Sequence, residues 1–441
     1  MPSVVDFRNK PWTNTFFLFV CSICFVVSTV YIEYWYDQPH FDDAFLLYSL
    51  SFLFFVILWK YSNNITWLLV CGILARVILI FVFPGFSDDI YRFYWDGRLI
   101  VSGISPYGIL PEEVLSKNIT YLDASLFDKL NSPYYYTIYP PINQLFFAIG
   151  AAFGGLIHAA TVMKISVGIV ELIGLHFIFK LLKDQKIPSK YAMLYYLNPL
   201  VILEGMGNLH FEIVMIAFLA IALFYIFQNK IILGTLFFAL SIGTKLLPLM
   251  LLPYFYFQLK GKNRILFFGS IIFFLTMIFI PLLASISPST FLNSVDLYFR
   301  KFEFNASFYY VLRFLGHKIF GYNLIAYVGP LLAISTISIN IWLAKKSDTF
   351  SFQHCMFYSV LVWTTYLIFA TTIHPWYVIS LLFFSIFTTF KYPIVWSFLI
   401  FVSYASYSSQ PYEENLWWVS LEYVLLLIFI WYELKSKILI K

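Results

Sequence analysis

Residues 86–108 read FSDDIYRFYWDGRLIVSGISPYG and place Asp88, Asp89, Arg92, Asp96 and Arg98 within eleven positions, directly after an apolar run. Adjacent carboxylates beside a membrane-like segment are what a general base or a metal ligand requires. If residues 88–102 are helical, Asp88/Asp89, Arg92 and Asp96 recur at i, i+4 spacing along one face. Tyr91, Phe93, Tyr94, Trp95, Leu99 and Ile100 then supply apolar surface, so the segment is expected to lie as an amphipathic helix at an interface with its carboxylates toward an aqueous cavity. Gly103 should end it, and Ser105-Pro106-Tyr107-Gly108 should form a turn.

Four further clusters carry chemistry-bearing residues. Asn198–Glu212 holds Glu204, Asn208, His210 and Glu212 where two short apolar runs meet, and ionisable groups inside membrane segments are costly enough to be functional candidates. Lys245 sits in the apolar run LSIGTKLLPLMLLP. It either snorkels to the interface or meets an anion, for which phosphate is a natural partner. Arg300, Lys301, Glu303, Asn305 and Arg313 mix with aromatics in RKFEFNASFYYVLRFLG, and Thr372-Ile373-His374-Pro375-Trp376-Tyr377 joins two apolar runs. Tyr139-Pro140-Pro141 marks a helix entry. Each cluster also has a plain reading: locally paired charges, a helix start, a snorkelling lysine, a solvated basic loop or an aromatic interface belt.

The elements that must position these residues follow from composition. Of 441 residues, 61% are hydrophobic and 12% charged, with 51 Phe, 33 Tyr and 12 Trp. Soluble domains carry about 25% charged residues, so both a soluble protein and a disordered one are excluded. Apolar runs of roughly 20 residues point to an all-α, polytopic helical bundle rather than a barrel. The runs fall at 14–34, 43–60, 65–84, 141–157, 162–182, 191–206, 211–228, 231–259 (broken near Lys245 and Pro248), 265–285, 323–344, 354–373, 376–390, 392–409 and 416–434, giving about a dozen expected crossings. Residues 1–441 read as one membrane domain, with polar intervals at 85–137 and 286–321 and an uncleaved first helix.

Net charge is +5, and the placement of basic residues matters more than their sum. Arg8 and Lys10, Lys183/Lys186/Lys190, Lys260/Lys262/Arg264, Lys345/Lys346 and Lys435/Lys437/Lys441 should share the cytoplasmic face. The five polar clusters then share the opposite face. Loops 85–137 and 183–190 need an odd number of crossings between them, so the segment 141–157 is expected to be re-entrant or interfacial. Cys21 and Cys24 have C-x-x-C spacing, but without a second pair or a nearby His they read as helix residues, like Cys71 and Cys355.

Five polar clusters at one level suggest an enzyme acting on a lipid-borne substrate, whereas transporter sites lie nearer mid-membrane. The ordered motifs SDDIYRFYWDGRL…SGISPYG, IYPPINQLFF, NPLVILEGMGNLHFE, TKLLPLMLLP, FNASFYYVLRF and HPWYV resemble bacterial GT-C glycosyltransferases, specifically the polyprenyl-phosphate-mannose-dependent mannosyltransferases, and more distantly the GPI mannosyltransferase I catalytic subunit. The resemblance runs from about residue 80 to 380. It implies inverting transfer of a sugar, mannose favoured, from a polyprenyl-phosphate donor to a lipid-linked or cell-envelope glycan acceptor. The donor is then taken from the outer leaflet, and the outer-face site fits a bacterial inner membrane with the site toward the periplasm; an endoplasmic reticulum protein with a lumenal site would have the same topology. The family's acidic motif matches Asp88-Asp89, either of which would be the base; relatives commonly have D-x-D.

On the same resemblance Lys245, Arg300, Arg313 and Arg92 would hold the donor phosphate. Glu204, Asn208, His210, Glu212, His374, Trp376, Tyr377 and Tyr139 would line the sugar or acceptor site. No metal ligand set is identified, though a divalent cation is compatible. The partners are the donor, the acceptor and the bilayer, with no nucleic acid. The alternatives are a polysaccharide polymerase or ligase, and a lipid-linked sugar flippase. A flippase should carry mid-membrane charges, for which Arg76, Lys164 and Glu171 are the nearest cases.

Overall fold

In a computed structural model the apolar runs form helices, and the described residues are 15–35, 41–117, 119–285, 302–347, 349–408 and 414–438. Helices α1 (Thr15–Trp35), α2 (Phe41–Tyr61) and α3 (Ile65–Leu79) pack together at the start of the chain. An irregular stretch leads to α4 (Asp89–Val101), the short α5 (Pro111–Leu115) and α6 (Ala124–Phe127), and then α7 (Pro141–Ala151). The long α8 (Leu156–Asp184) returns across the bundle and is followed by α9 (Ala192–Tyr196). Next come a π-helical turn at Val201–Gly207, α10 (Glu212–Phe227), α11 (Ile231–Thr244), α12 (Leu252–Gln258) and α13 (Gly261–Leu283). The remainder comprises α14 (Phe308–Phe320), α15 (Ile325–Lys346), α16 (Phe352–Phe369), α17 (Val378–Ser385), α18 (Tyr392–Leu399) and α19 (Leu416–Ile438). Among the described residues there is no strand, only an isolated bridge between Phe304 and Thr372. The all-α polytopic architecture is the one the composition requires.

Against the expected dozen crossings, the apolar helices divide by length. Among the described residues α1, α2, α8, α13, α15 and α19 are long and apolar enough to cross a membrane. The π turn and α10, bent by 106°, make a seventh if counted as one span. Shorter apolar helices at Ile65–Leu79, Ile231–Thr244 and Pro375–Ser385 fill the rest. The physical reason is that Pro, Gly and polar residues cut several runs into pieces. Lys245 is extended (φ −148°, ψ 143°) after α11, a 3-10 turn at Leu247–Leu251 contains Pro248, and α12 follows. Helix α7 has 11 residues and rises about 16 Å, roughly half a hydrocarbon core, as a re-entrant or interfacial segment would.

The basic loops gather at one end of the bundle. Lys190 reaches Asn63 and the Trp59 ring. Gln228 donates to Asp184, Gln353 to Gln185, and Gln258 to the Ala344 and Ser347 carbonyls. Loops 183–190 and 344–354, and the end of α12, therefore share a level with the α2–α3 turn. Helices α10 and α11 run from this end toward Glu212 and Lys245.

Helix α4 differs from its expected form. Arg92, Phe93, Tyr94, Trp95, Asp96 and Gly97 are all buried, so it does not lie with a polar face in water. Arg92 and Asp96 pair at 2.9 Å, and Arg92 also donates to the carbonyls of Ser132 and Tyr135 at 3.0 and 3.1 Å. Asp96 accepts from Thr137 and, at 2.9 Å, from Gln144. The loop 132–137 folds over this face, and the paired charges replace its water. Gly97 allows α4 to approach α7, since a Cβ there would overlap the Phe147 carbonyl. Only the N-terminal carboxylates remain at an open face.

Candidate functional site

Lys245 is the hub. It terminates α11, with a side chain 21% exposed. Its ammonium pairs with Glu212, which is fully buried at the start of α10. An acidic residue in a first helical turn is favoured by the helix dipole. The ammonium lies 5.7 Å from the Tyr377 ring centroid and within electrostatic reach of Asp89, His210 and His374. One of its three N–H donors goes to Glu212, leaving two for other acceptors.

Asp89 is half-buried. Asn131 Nδ2 donates to its Oδ1 at 2.6 Å, and Tyr139 is within hydrogen-bonding reach. Burial pushes its carboxyl above the usual range, with Asn131, Lys245, Tyr139 and Arg92 opposing that push. Asp88 is exposed and makes no capping hydrogen bond. Its carboxyl is also raised, first by partial loss of solvent and then by Asp89. The two carboxylates thus part company: Asp89 is half-buried and within electrostatic reach of Lys245, while Asp88 is exposed.

A stack of rings forms the facing wall. The His210 and Trp376 centroids are 3.5 Å apart at 18°, Trp376 and His374 are 4.3 Å apart at 4°, and His374 and Phe304 are 4.8 Å apart at 22°. The Phe304 N–H donates to the Thr371 carbonyl at 3.0 Å, and the Ile373 N–H donates to the Phe304 carbonyl at 2.8 Å, which brings Phe304 to the stack. Both faces of Trp376 are covered by imidazoles, so it cannot offer a face to a sugar; its effect is to fix the two rings. His374 Nδ1 and Glu212 Oε2 are buried without a hydrogen-bond partner, and His210 Nε2 and Glu204 Oε2 face each other at 3.4 Å. Buried orphans gathered in one place are candidate ligand contacts. Burial, and then Lys245, pushes His374 down to about 3, which leaves a neutral imidazole able to donate or accept.

Behind the stack, Glu204 accepts from the Tyr404 hydroxyl at 2.6 Å and lies 3.4 Å from His210 Nε2. The π turn and a left-handed Leu209 (φ +59°) place His210. Both are departures that cluster at functional sites.

Other sequence candidates are placed elsewhere. Asn208 is fully buried, accepting from the Phe86 N–H at 3.0 Å and donating to Glu33 at 2.9 Å. It is a strut, not a surface for sugar. Arg92 braces the loop over α4 as described above. Arg313 pairs with Glu303 and lies 4.2 Å from the Tyr310 ring centroid, in a separate cluster with Glu414 and Asn323. Arg300 lies outside the described residues. Among those residues no three His, Cys, Asp or Glu side chains are grouped to hold a metal, and no step below is routed through one. Sequence reasoning missed Asn131, Tyr404, Phe304 and Glu33. Only Glu33, a carboxylate ending an apolar run, carried a local signal.

Against curated proteins the chain has no significant match. Residues 44–260, which hold Asp88, Asp89, Tyr139, Glu204, His210, Glu212 and Lys245, match the family model described as alpha-(1->6)-mannopyranosyltransferase, N-terminal domain. Over this segment the chain is similar to that mannosyltransferase family, which supports the GT-C type that its motifs lead one to expect.

Proposed function

We propose that the protein transfers a mannosyl unit from a polyprenyl-phosphate donor to a hydroxyl of a glycan or glycolipid, with inversion, on the outward face of a bacterial inner membrane. Asp89 is the general base. The acceptor O–H proton passes to its carboxylate as the oxygen attacks the anomeric carbon. The bond from that carbon to the phosphate oxygen breaks, and the phosphate leaves with the electron pair. Lys245 neutralises the charge that grows there, in a partly water-excluded setting where such contacts are strong. Asp89 and Lys245 on either side of one space would hold acceptor and donor for in-line displacement. His210, His374 and Tyr377 face the same space and supply hydrogen-bonding groups for sugar hydroxyls. Tyr139 and Asn131 orient the base.

The observation that carries this reading is the Lys245–Glu212 pair, with the Lys245 ammonium 5.7 Å from the Tyr377 ring centroid, which in turn packs on the His374–Trp376 stack. The outward face rests on the basic loops gathering at the opposite end. A flippase reading loses its support. Arg76 forks onto Glu171 at 2.7 and 2.6 Å, and Lys164 sits on two backbone carbonyls. These charges are thus satisfied within the protein.

The test uses purified protein in detergent, a panel of radiolabelled polyprenyl-phosphate sugars and a lipid–glycan extract as acceptor. Wild type, Asp88→Asn and Asp89→Asn are compared. Mannosyl transfer by wild type that is lost in Asp89→Asn is expected. Transfer that survives both substitutions rejects the mechanism.

A further inference from the structure

The segment that carries Asp88 and Asp89 is not held by its own secondary structure. Helix α3 stops at Leu79, α4 starts at Asp89, and the backbone between them is irregular. Its polar groups must nevertheless be satisfied. Three buried side chains do this. Lys164, from the first third of α8, donates to the carbonyls of Leu79 and Val82 at 3.0 and 2.6 Å. Glu33, from the last turn of α1, accepts the Gly85 N–H at Oε2 (3.2 Å) and Asn208 Nδ2 at Oε1 (2.9 Å). Asn208 then accepts the Phe86 N–H at 3.0 Å. The Phe86 ring packs 4.8 Å from Tyr404, the residue that holds Glu204.

Two opposite charges and one amide thus satisfy four backbone groups within eight residues of chain. Glu33 is 4% exposed and Lys164 is fully buried, and they act on each other electrostatically. Burying such a pair is weak evidence for stability, because an apolar replacement is often neutral. Its geometry instead fixes where one strand of backbone runs. Gly207 fits the same purpose, since a Cβ there would overlap the Glu33 carboxylate. The network also ties the Asp88–Asp89 segment to the π turn that carries Glu204 and leads into His210.

We infer that Glu33 and Lys164 form a charge-balanced tether, acting through Asn208, that sets the position of the Asp88–Asp89 segment against the Lys245 and His210 wall. Both are positioning residues: neither touches substrate. The inference rests on the reading of Asp89 as the base, but the tether itself can be measured without turnover.

The test is Glu33→Gln/Lys164→Met in full-length protein. Removing both charges leaves no unpaired ion, so the thermal midpoint should stay within a few degrees of wild type. Both Lys164 contacts and one of the two accepted by Glu33 are lost, and kcat for mannosyl transfer should fall about 10- to 100-fold, the usual consequence of misplacing a reacting group by about an ångström. KM for the donor should change by less than about threefold, since the phosphate contact is untouched. In parallel, a cysteine at Ser87 in a Cys24→Ser background reports loop order through its maleimide labelling rate. That rate should rise roughly fivefold or more in the double variant, as expected where a local opening becomes easier.

An unchanged labelling rate, or a kcat within about twofold of wild type, overturns the inference. A kcat that simply tracks the thermal midpoint across variants also overturns it, because that marks a merely structural pair. Should the double variant fail to fold, Glu33→Asp carries the test. It keeps the charge pair but is one methylene short of spanning Gly85 and Asn208, and the same changes in labelling and kcat are expected. If labelling rises while Asp89→Asn retains full activity, the tether stands and the base assignment falls.

Discussion

Replacing Asp89 by Asn separates proton acceptance from everything else the side chain does. The amide is isosteric, and its oxygen can still accept from Asn131, which donates to Oδ1 at 2.6 Å. The loop should therefore hold its shape. What disappears is the basic carboxylate next to Lys245. A positioned general base contributes about 10²- to 10⁴-fold, or about 2.7–5.4 kcal/mol of barrier, so kcat should fall by that factor with KM for the donor little changed. Asp88 is exposed, and Asp88→Asn should cost less than about tenfold. The assay is single-turnover transfer of radiolabelled mannose from the polyprenyl-phosphate donor, across a pH series. Because Asp89 is raised above the usual carboxylate range, the wild-type acid limb should lie above that range, with activity lost as pH falls through it. The stability sign is the reverse of a salt-bridged carboxylate. The folded state holds the Asp89 proton to higher pH than the unfolded chain, so the ionised form costs folding free energy at neutral pH. Asp89→Asn removes that cost, and its thermal midpoint should not fall below wild type. Any excess should shrink as pH is lowered through the usual carboxylate range. Retention of more than about a third of wild-type kcat in Asp89→Asn, or loss confined to Asp88→Asn, refutes the reasoning.

Lys245→Met should lower transfer about 10²- to 10³-fold, the cost of removing one transition-state charge contact. It should also lower the thermal midpoint, because Glu212 is left buried and unpaired; Lys245→Met/Glu212→Gln should recover the midpoint but not the activity. Arg76→Leu breaks a buried pair and should cost about 3 kcal/mol of stability. Arg76→Leu/Glu171→Leu should recover most of that and retain transfer, read by thermal denaturation and the radiolabel assay. Gly97→Val should destabilise by about 2 kcal/mol or more, since its side chain would drive α4 away from α7; the readout is thermal denaturation in detergent.

The helical class was legible because apolar runs near bilayer length leave few alternatives. Breaks at Lys245, at Pro248 and between Gly205 and Glu212 were also legible, because proline, glycine and charge punctuate an apolar run. What the letters do not reveal is the angle, which at the break between the π turn and α10 is 106°. The identity of the site residues divides more sharply. Glu212, His210, Lys245 and His374 stood out as ionisable groups in apolar surroundings, and the fold brings them together. Arg92 and Asp96 stood out by the same rule, yet they satisfy each other and a folded-over loop. Periodicity could not distinguish the two outcomes, since both put charge on one helix face.

What separates them is whether polar atoms are left over once the charges are paired, since even the Arg76–Glu171 pair, drawn from separate helices, is satisfied within the protein. Arg92 finds Asp96 four residues away, so a single helix neutralises it. Lys245 has no carboxylate within reach in its own helix and must draw Glu212 from 33 positions away, with Asp89 farther still along the chain. A charge cancelled locally can be structural at little cost. Around Lys245 the counter-ions come from separate helices, and two atoms are left over, Glu212 Oε2 and His374 Nδ1, with no hydrogen-bond partner among the described residues, while His210 Nε2 faces Glu204 at 3.4 Å. Those orphans mark where the protein stops satisfying itself and a substrate has to complete the set.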